Sequence, residues 1–371
     1  MRLGINGWRL RTKTGVARVL LNVLRHWDRD FVAGRFDEIT VYSPIPLDPH
    51  LPLPPFIVRK VIPPDNRMLI WENLHLPRAA RDDVLLCPSY SRPLFTRSRT
   101  VSLIYEATQK LFPQYYPMSA RFIHTPLYGW SARHSTLVVT NTEQARTDII
   151  SAYRAPPHKV RVVPLAPAEI FHTRHDPQRL AAVRRQYAGG DVPYFLYVGK
   201  LTARRNVPNL VVALAEMKRH ASLPHRLIVV GLNTTNVDLP AIALQHGVSD
   251  DVKYYPYVAD EDLALLYSAA EAFVLPYSYE SAASLTLLEA QAAGTPVITG
   301  DTVGLRQASG NAALFVEDVD AASLAQAMLR LARDQPLRDD LAARGTENAA
   351  LCSWPQCSSD MLDILREAAT A

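Results

Sequence analysis

The chain has 371 residues, of which 48% are hydrophobic and 20% charged, and its formal net charge is +4. That length favours two domains, and the composition is typical of a globular protein rather than a disordered or fibrous one. No apolar run is long enough for a transmembrane helix, and the start MRLGINGWRL lacks the apolar core of a signal peptide, so we expect neither.

Positive charge is concentrated in the first half. Residues 1–170 contain 23 Lys and Arg against 13 Asp and Glu, a net charge of +10, whereas the remainder contains 17 against 23. This asymmetry indicates an anionic partner or an uneven but unused charge distribution. The absence of zinc-finger, KH and RRM patterns argues against nucleic acid. The three cysteines, Cys87, Cys352 and Cys357, form no metal-ligand pattern, and this sparse set is typical of a reducing cytoplasm.

Predicted strands and helices alternate through the first half. The predicted strands are 2–5, 38–42, 56–61, 83–87, 100–104, 136–140 and 159–163. The predicted helices are 16–27, 120–132 with an interruption near Pro126, and one capped by Asn141 or Thr142. Such alternation predicts a mostly parallel sheet.

The alternation restarts after a proline-rich segment, 165–178, which we interpret as a linker. The predicted strands are 194–198, 226–230, 252–255, 272–276, 297–299 and 314–316. The predicted helices are 207–219, 239–246, 260–270, 285–293, 320–333, 336–350 and 354–369. The sequence therefore predicts an α/β protein with two successive α/β domains.

The stretch from Ala272 to Asp301 carries a candidate site. It reads as a βαβ unit in which Glu280 follows the first strand and Glu289 lies one turn into the helix, which Ser281 or Ser284 would cap. A helix N-terminus beside the carboxyl end of a parallel strand is a ready phosphate site. An ordinary βαβ unit with two solvated glutamates also fits this pattern.

A second group follows the strand 194–198. Gly199 and Lys200 come directly after it, and Arg204 and Arg205 lie within six residues. Lys supplies a point charge and Arg a bidentate fork, as a pyrophosphate requires. The alternative is a solvated basic loop.

These two groups occur in an order that resembles glycosyltransferase family 4, the retaining enzymes with a GT-B fold. The resemblance covers most of the chain. Its other segments are TGVAR at 14–18, RTVSLIYEATQKLFPQYYP at 99–117, VVTNTEQARTDI at 138–149 and VVPLAP at 162–167. It implies two Rossmann-like domains with parallel sheets facing a central cleft. Residues 1–168 would bind the acceptor, 169–353 would bind the donor, and 354–371 would form a helix that crosses back to the first domain.

The resemblance also implies roles for individual residues. Lys200, Arg205, Glu280 and Tyr105 are the expected catalytic residues, with the two cations on the pyrophosphate and Glu280 on the sugar and distal phosphate. Glu289 would accept hydrogen bonds from the ribose hydroxyls. The remaining expected contacts with the nucleotide sugar are Gly15, Gly199, Arg204, Ser281, Ser284 and Leu285.

Two positions depart from the family pattern. Eight residues separate Glu280 from Glu289, where the family has seven, so either the loop has one extra residue or Ser281 takes the first glutamate's place. We favour the extra residue because loops absorb insertions at low cost. Tyr105-Glu106 stands where the family often has His-Asp, and a tyrosine can donate a hydrogen bond but cannot act as a base near neutral pH.

We therefore expect a retaining glycosyltransferase that needs no metal or other cofactor. Its donor would be GDP-mannose or, second, a UDP-sugar, and its acceptor a glycan or a lipid-linked saccharide. We expect it in the cytoplasm, in contact with the anionic inner face of the plasma membrane. Two alternatives remain: a glycosyltransferase-like binding or scaffold protein without turnover, and a GT-B sugar-nucleotide epimerase.

Overall fold

The computed structural model describes residues 1–12, 14–172 and 174–371. The chain forms two compact units, which are Met1–Leu165 with Ser353–Ala371, and Ala166–Cys352. Each unit is built on one parallel β-sheet. Helices connect most of the successive strands, whereas the segments 44–57 and 88–98 connect strands without a helix. The two successive α/β domains predicted from the alternation are confirmed, and so is their Rossmann-like character, which the resemblance implied.

The strands are short and the helices vary widely in length. In chain order the strands are Arg2–Asn6 (β1), Glu38–Ser43 (β2), Val58–Val61 (β3), Val84–Cys87 (β4), Arg99–Leu103 (β5), Leu137–Thr140 (β6), Val160–Val162 (β7), Tyr194–Val198 (β8), Arg226–Val230 (β9), Val252–Tyr255 (β10), Ala272–Leu275 (β11), Val297–Gly300 (β12) and Leu314–Val316 (β13). The α-helices are Gly15–Arg25 (α1), Arg29–Val32 (α2), Met68–Ile70 (α3), Leu76–Ala79 (α4), Thr108–Leu111 (α5), Thr125–His134 (α6), Glu143–Tyr153 (α7), Pro177–Val183 (α8), Val207–His220 (α9), Leu239–Gln245 (α10), Asp260–Ala269 (α11), Leu285–Ala292 (α12), Val303–Ser309 (α13), Ala321–Arg333 (α14), Gln335–Ala350 (α15) and Trp354–Thr370 (α16).

The sheet of the first unit has the strand order β3-β2-β1-β4-β5-β6-β7, and all its pairs are parallel. Strands β4 and β6 are buried along their whole length, as expected where helices cover both faces of a parallel sheet. The order reverses between β1 and β4, so the carboxyl ends of these two strands flank the switch point of the sheet.

Helix α16 belongs to the first unit although it lies at the end of the sequence. It packs against α1, β4 and β5. The Trp27 indole donates to the Ser358 carbonyl at 3.2 Å, and the Ser358 hydroxyl donates to the Val23 carbonyl at 2.7 Å. Leu362 and Leu365 are fully buried. The predicted return of the last helix to the first domain is therefore present.

The sheet of the second unit has the order β10-β9-β8-β11-β12-β13, again parallel throughout. Here the order reverses between β8 and β11. These are the two strands that precede the basic group and the Glu280 loop, so the switch point brings both groups to one edge of the sheet.

The helix predicted near Pro126 differs in form from the expectation. A π-helical turn, Ala120–His124, runs directly into α6, and Pro126 lies in the first turn of α6. Proline is tolerated there because its missing N–H is not needed. The helical segment is therefore continuous rather than interrupted.

Candidate functional site

The site predicted in the second unit lies at the switch point between β8 and β11. Gly199 and Lys200 follow β8, and the segment 276–284 joins β11 to α12. Gly231, after the neighbouring strand β9, leaves no room for a side chain, since a Cβ there would lie 2.1 Å from the Gly199 carbonyl oxygen. The Gly199 backbone is therefore held close to the end of β9.

An ion pair joins the basic segment to the Glu280 loop. Arg204 Nη1 donates to Glu280 Oε2 at 3.0 Å and to the Tyr279 carbonyl at 3.2 Å. The two side chains are only 11% and 7% exposed. The buried carboxylate of Glu280 thus faces a cation, which offsets the cost of removing it from water.

Arg205 lies against a pair of buried tyrosines. Its guanidinium carbon lies 5.2 Å from the centre of the Tyr277 ring, and Nη1 approaches the Lys200 carbonyl at 3.5 Å. The Tyr197 hydroxyl donates to the same carbonyl at 3.0 Å. Burial raises the pKa of Tyr197 and of Tyr277. Both phenols therefore stay protonated, and they fix the backbone that carries Lys200.

Two glycines, Gly300 and Gly304, pack closely against the backbone of the Glu280 loop. A Cβ at Gly300 would lie 2.1 Å from the Tyr277 carbonyl oxygen, and one at Gly304 would lie 2.2 Å from the Glu280 carbonyl oxygen. Thr302, the N-cap of α13, also donates to the Glu280 carbonyl at 3.4 Å. The start of α13 therefore determines where the backbone of Glu280 lies.

Glu289 lies in the interior of the unit, on α12. It is 1% exposed, and the Tyr267 hydroxyl donates to its Oε2 at 3.2 Å. Tyr267 is itself fully buried and accepts, through its carbonyl, the Thr295 hydroxyl at 2.7 Å. The carboxylate therefore has a fixed position behind the start of α12.

The start of α12 contains the other predicted contacts. Ser284 occupies the N-cap position, where its hydroxyl lies 2.9 Å from Thr286 Oγ1 instead of accepting from a first-turn N–H, and Leu285 begins the helix. Ser281 is fully buried, and its Cα would lie 2.7 Å from a Cβ at Gly304. The helix start thus presents backbone N–H groups, which suit an anion.

Two predicted residues belong to the first unit. The Tyr105 hydroxyl is buried, makes no hydrogen bond within the described part of the chain, and has its pKa raised by burial. This agrees with the expectation that Tyr105 is not a base. Gly15 is the first residue of α1, and a Cβ there would meet no atom of the described residues within 4 Å.

The second-unit arrangement can bind an anion that also carries hydroxyl groups. Negative charge is favoured by the N-terminus of α12 and by three cations, Lys200, Arg204 and Arg205. The carboxylates of Glu280 and Glu289 can accept hydrogen bonds from hydroxyl groups. Among the described residues, no three His, Cys, Asp or Glu side chains are placed to hold a metal ion.

The sequence reasoning missed four residues of this site. Tyr197 and Tyr277 read as ordinary apolar strand and loop residues, and nothing in the sequence showed that their hydroxyls meet at Gly199. Gly300 and Gly304 did have a signal, because the segment GDTVG places glycines on both sides of an N-capping threonine just after a strand.

Comparison with known proteins gives a family match over the second unit. Residues 182–348 match the model of the glycosyl transferases group 1 family. The O-antigen chain mannosyltransferase B of Escherichia coli is 27% identical over 270 residues, which cover 72% of this chain and 70% of that protein. A D-inositol 3-phosphate glycosyltransferase of Stackebrandtia nassauensis is 32% identical over 246 residues, but these cover only 54% of its length.

Solved structures resemble the whole chain. WaaG, a glycosyltransferase involved in lipopolysaccharide biosynthesis, has a TM-score of 0.72 at 18% identity and covers 98% of this chain and 99% of its own. Anabaena Alr3699/HepE, crystallised with UDP and glucose, has a TM-score of 0.76 at 14% identity and covers 99% and 100%. At these identities the likeness establishes the fold.

Proposed function

We propose that the chain transfers a sugar from a nucleoside diphosphate sugar to a saccharide acceptor, because its residues 182–348 match the glycosyl transferases group 1 model and its fold resembles that of solved glycosyltransferases. The observation that carries this proposal is the meeting of Lys200, Arg204, Arg205 and Glu280 at the switch point of the second sheet. Ligands of open α/β sheets bind at such a point.

The proposed reaction is retaining and independent of metal, as in family 4. Negative charge grows on the diphosphate as the sugar departs, and Lys200 and Arg205 would stabilise it. The acceptor hydroxyl would attack from the face that the diphosphate leaves, and a donor phosphate oxygen would take its proton. Glu280 would hold the sugar and Glu289 the ribose hydroxyls.

GDP-mannose is the first donor we propose and a UDP-sugar the second. The similarity to the mannosyltransferase of Escherichia coli supports the first, and the fold shared with Anabaena HepE, which was crystallised with UDP and with UDP-glucose, supports the second. The acceptor would be a glycan or a lipid-linked saccharide.

The proposed place of action is the cytoplasm, at the inner face of the plasma membrane. Support comes from the net charge of +10 in residues 1–170, which favours anionic lipid. Among the described helices, none is long and apolar enough to cross a membrane.

A thermal-shift screen with GDP, UDP, dTDP and ADP tests the donor site. A ligand that binds the folded protein alone raises its melting temperature, and we expect this for GDP or UDP. The release of nucleoside diphosphate from GDP-mannose and from UDP-glucose is then followed with and without saccharide acceptors.

Arg205→Ala and Glu289→Ala are expected to abolish both the stabilisation and the release. Arg219→Ala is the matched control, because Arg219 is exposed and pairs only at 3.7 Å with Glu216. A wild-type protein that binds a nucleoside diphosphate but never releases one from a donor would instead support a binding protein without turnover.

A further inference from the structure

The first unit has a switch point of its own, between β1 and β4. Asn6 ends β1 and is followed by Trp8 and Arg9, while Ser89, Tyr90 and Ser91 follow β4. By the rule that locates the donor site in the second unit, this edge is the place for a ligand of the first unit.

The backbone of Tyr90 is strained at this edge. Its φ angle is +66°, a conformation that a bulky residue rarely adopts. The N–H of Tyr90 donates to the Leu103 carbonyl at 3.0 Å, and its ring packs against Tyr128 at 5.1 Å and Tyr105 at 5.7 Å between ring centres. Strain of this kind persists only where the surroundings enforce it, and it is concentrated at ligand sites.

The serines on either side of Tyr90 enforce that conformation. Ser89 Oγ accepts from Arg9 Nε at 2.8 Å, and Ser91 Oγ donates to Glu72 Oε2 at 2.6 Å. Asn6 Nδ2 donates to the other carboxylate oxygen of Glu72 at 3.1 Å. Glu72 is fully buried, which disfavours its charged form. These two hydrogen bonds and the nearby charge of Arg9 stabilise the carboxylate there.

At this edge Asn6, Glu72, Ser89 and Ser91 are buried, whereas Trp8, Arg9 and Tyr90 are partly exposed. A tyrosine ring offers an apolar face for a sugar ring, and a guanidinium donates to its oxygens in a fixed fork. Ser89 accepts from Nε of this guanidinium at 2.8 Å and thereby orients it.

We propose that Tyr90 and Arg9 bind the saccharide acceptor, and that Glu72 is a positioning residue that fixes the loop of Ser89, Tyr90 and Ser91. This proposal rests on the proposed glycosyl transfer, which needs a second substrate besides the donor. The ring face of Tyr90 contacts the sugar ring, and Arg9 donates to its oxygens.

Ligand-observed NMR with methyl α-D-mannopyranoside and methyl α-D-glucopyranoside tests the binding directly. The wild-type protein is expected to give saturation-transfer signals for at least one of them, and Tyr90→Gly and Arg9→Ala are expected to lose the signals. Glycine adopts a positive φ without cost, so Tyr90→Gly removes the ring while relieving the strain. Tyr115→Ala and Arg97→Ala, which change exposed residues of the same unit, are the controls.

Transfer kinetics test the role of Glu72. In Glu72→Gln we expect the KM for the acceptor to rise about fivefold, as when one aromatic contact is lost, with kcat and the KM for the donor unchanged. If Glu72 served folding alone, the folded fraction of Glu72→Gln would have the wild-type KM for the acceptor.

The result that overturns the proposal is saccharide binding that persists in Tyr90→Gly and Arg9→Ala, or its absence in the wild-type protein. Failure of the proposed function is seen separately, as a wild-type protein that no nucleoside diphosphate stabilises. Because the NMR experiment uses no donor, it decides the saccharide site in either case.

Discussion

The carboxyl group of Glu72 titrates in an unusual range. Burial raises its pKa from the usual 4.5 to about 7, although the hydrogen bond from Ser91, the charge of Arg9 and the hydrogen bond from Asn6 oppose the rise. The other titratable groups that face it are Cys87 and Tyr128, whose pKa values are also raised by burial. Of these three groups, Glu72 is the one with a pKa near neutral pH.

The pKa of Glu72 predicts how stability depends on pH. Because the folded protein holds the proton more tightly than the unfolded chain, the contribution is fully present below about pH 4.5 and is lost as the pH rises through about 7. The shift corresponds to roughly 3 kcal/mol. Urea unfolding across this range is expected to show a decline in the wild-type protein and a flatter curve in Glu72→Gln. Asp30→Asn, at an exposed position, is the control, and an equal decline in Glu72→Gln would refute the assignment.

The ion pair between Arg204 and Glu280 also makes a prediction at the scale of single residues. Arg204→Ala leaves a carboxylate that is 7% exposed without this cation, and we expect a loss of about 3 kcal/mol in the free energy of unfolding. Adding Glu280→Gln is expected to restore part of the stability but not the stabilisation by GDP or UDP. Double-mutant analysis of urea unfolding measures the coupling. A coupling near zero, as for an exposed pair, would show that the pair does not form.

Among single residues, the sequence predicted which ones lie at one edge of the second sheet, but not which side chains pair there. The order of the basic segment and the two glutamates placed Lys200, Arg205 and Glu280 at one edge of a sheet, which is where they lie. It did not show that Arg204, rather than Arg205, pairs with Glu280, because that depends on the path of a loop. The structure directs the Glu280 carboxylate to Arg204 and buries Ser281, while their roles toward the donor stay predictions.

At the scale of elements, the loop between β11 and α12 depends on the start of α13. Ala at position 304 would place a Cβ 2.2 Å from the Glu280 carbonyl oxygen, which is backbone and cannot move aside alone. We expect Gly304→Ala to lower the melting temperature and to weaken stabilisation by GDP or UDP. Gly190→Ala is the matched control in the same unit, since its Cβ would meet ordinary contacts at 3.7 Å. An unchanged nucleotide response in Gly304→Ala would contradict this dependence.

Some strands and helices were predicted with correct bounds and others were missed, and the difference depends on how apolar each segment is. Strands β8 and β9 have the predicted bounds, because strands buried in a parallel sheet are nearly continuous apolar segments. Helix α13 was missed because its seven residues, VGLRQAS, contain few large apolar side chains, whereas the equally short α10, LPAIALQ, is mostly apolar and was predicted. Helix α13 matters for the site because it contains Gly304. A pattern of apolar positions gives no information about a glycine.

At the scale of the whole molecule, the basic charge of residues 1–170 predicts membrane association. The first unit also exposes Met118, Phe122 and Ile123 beside the cation Arg121. We expect the protein to co-sediment with phosphatidylglycerol vesicles at low salt and to be released by high salt, because screening weakens the attraction. Replacing Phe122 and Ile123 by Ser should weaken co-sedimentation, whereas Leu244→Ser in the second unit should not. A wild-type protein that stays in the supernatant at low salt would rule the contact out.

The place of α16 in the first unit bears on how the protein is made. The first unit is discontinuous, since its core includes Leu362 and Leu365 from the last helix. During synthesis, residues 1–165 emerge before that helix and lack it until residues 353–371 have left the ribosome. Domains generally fold as units in the order of their synthesis. Here we expect the second unit to fold first. Residues 166–352 can complete their fold while residues 1–165 still lack α16.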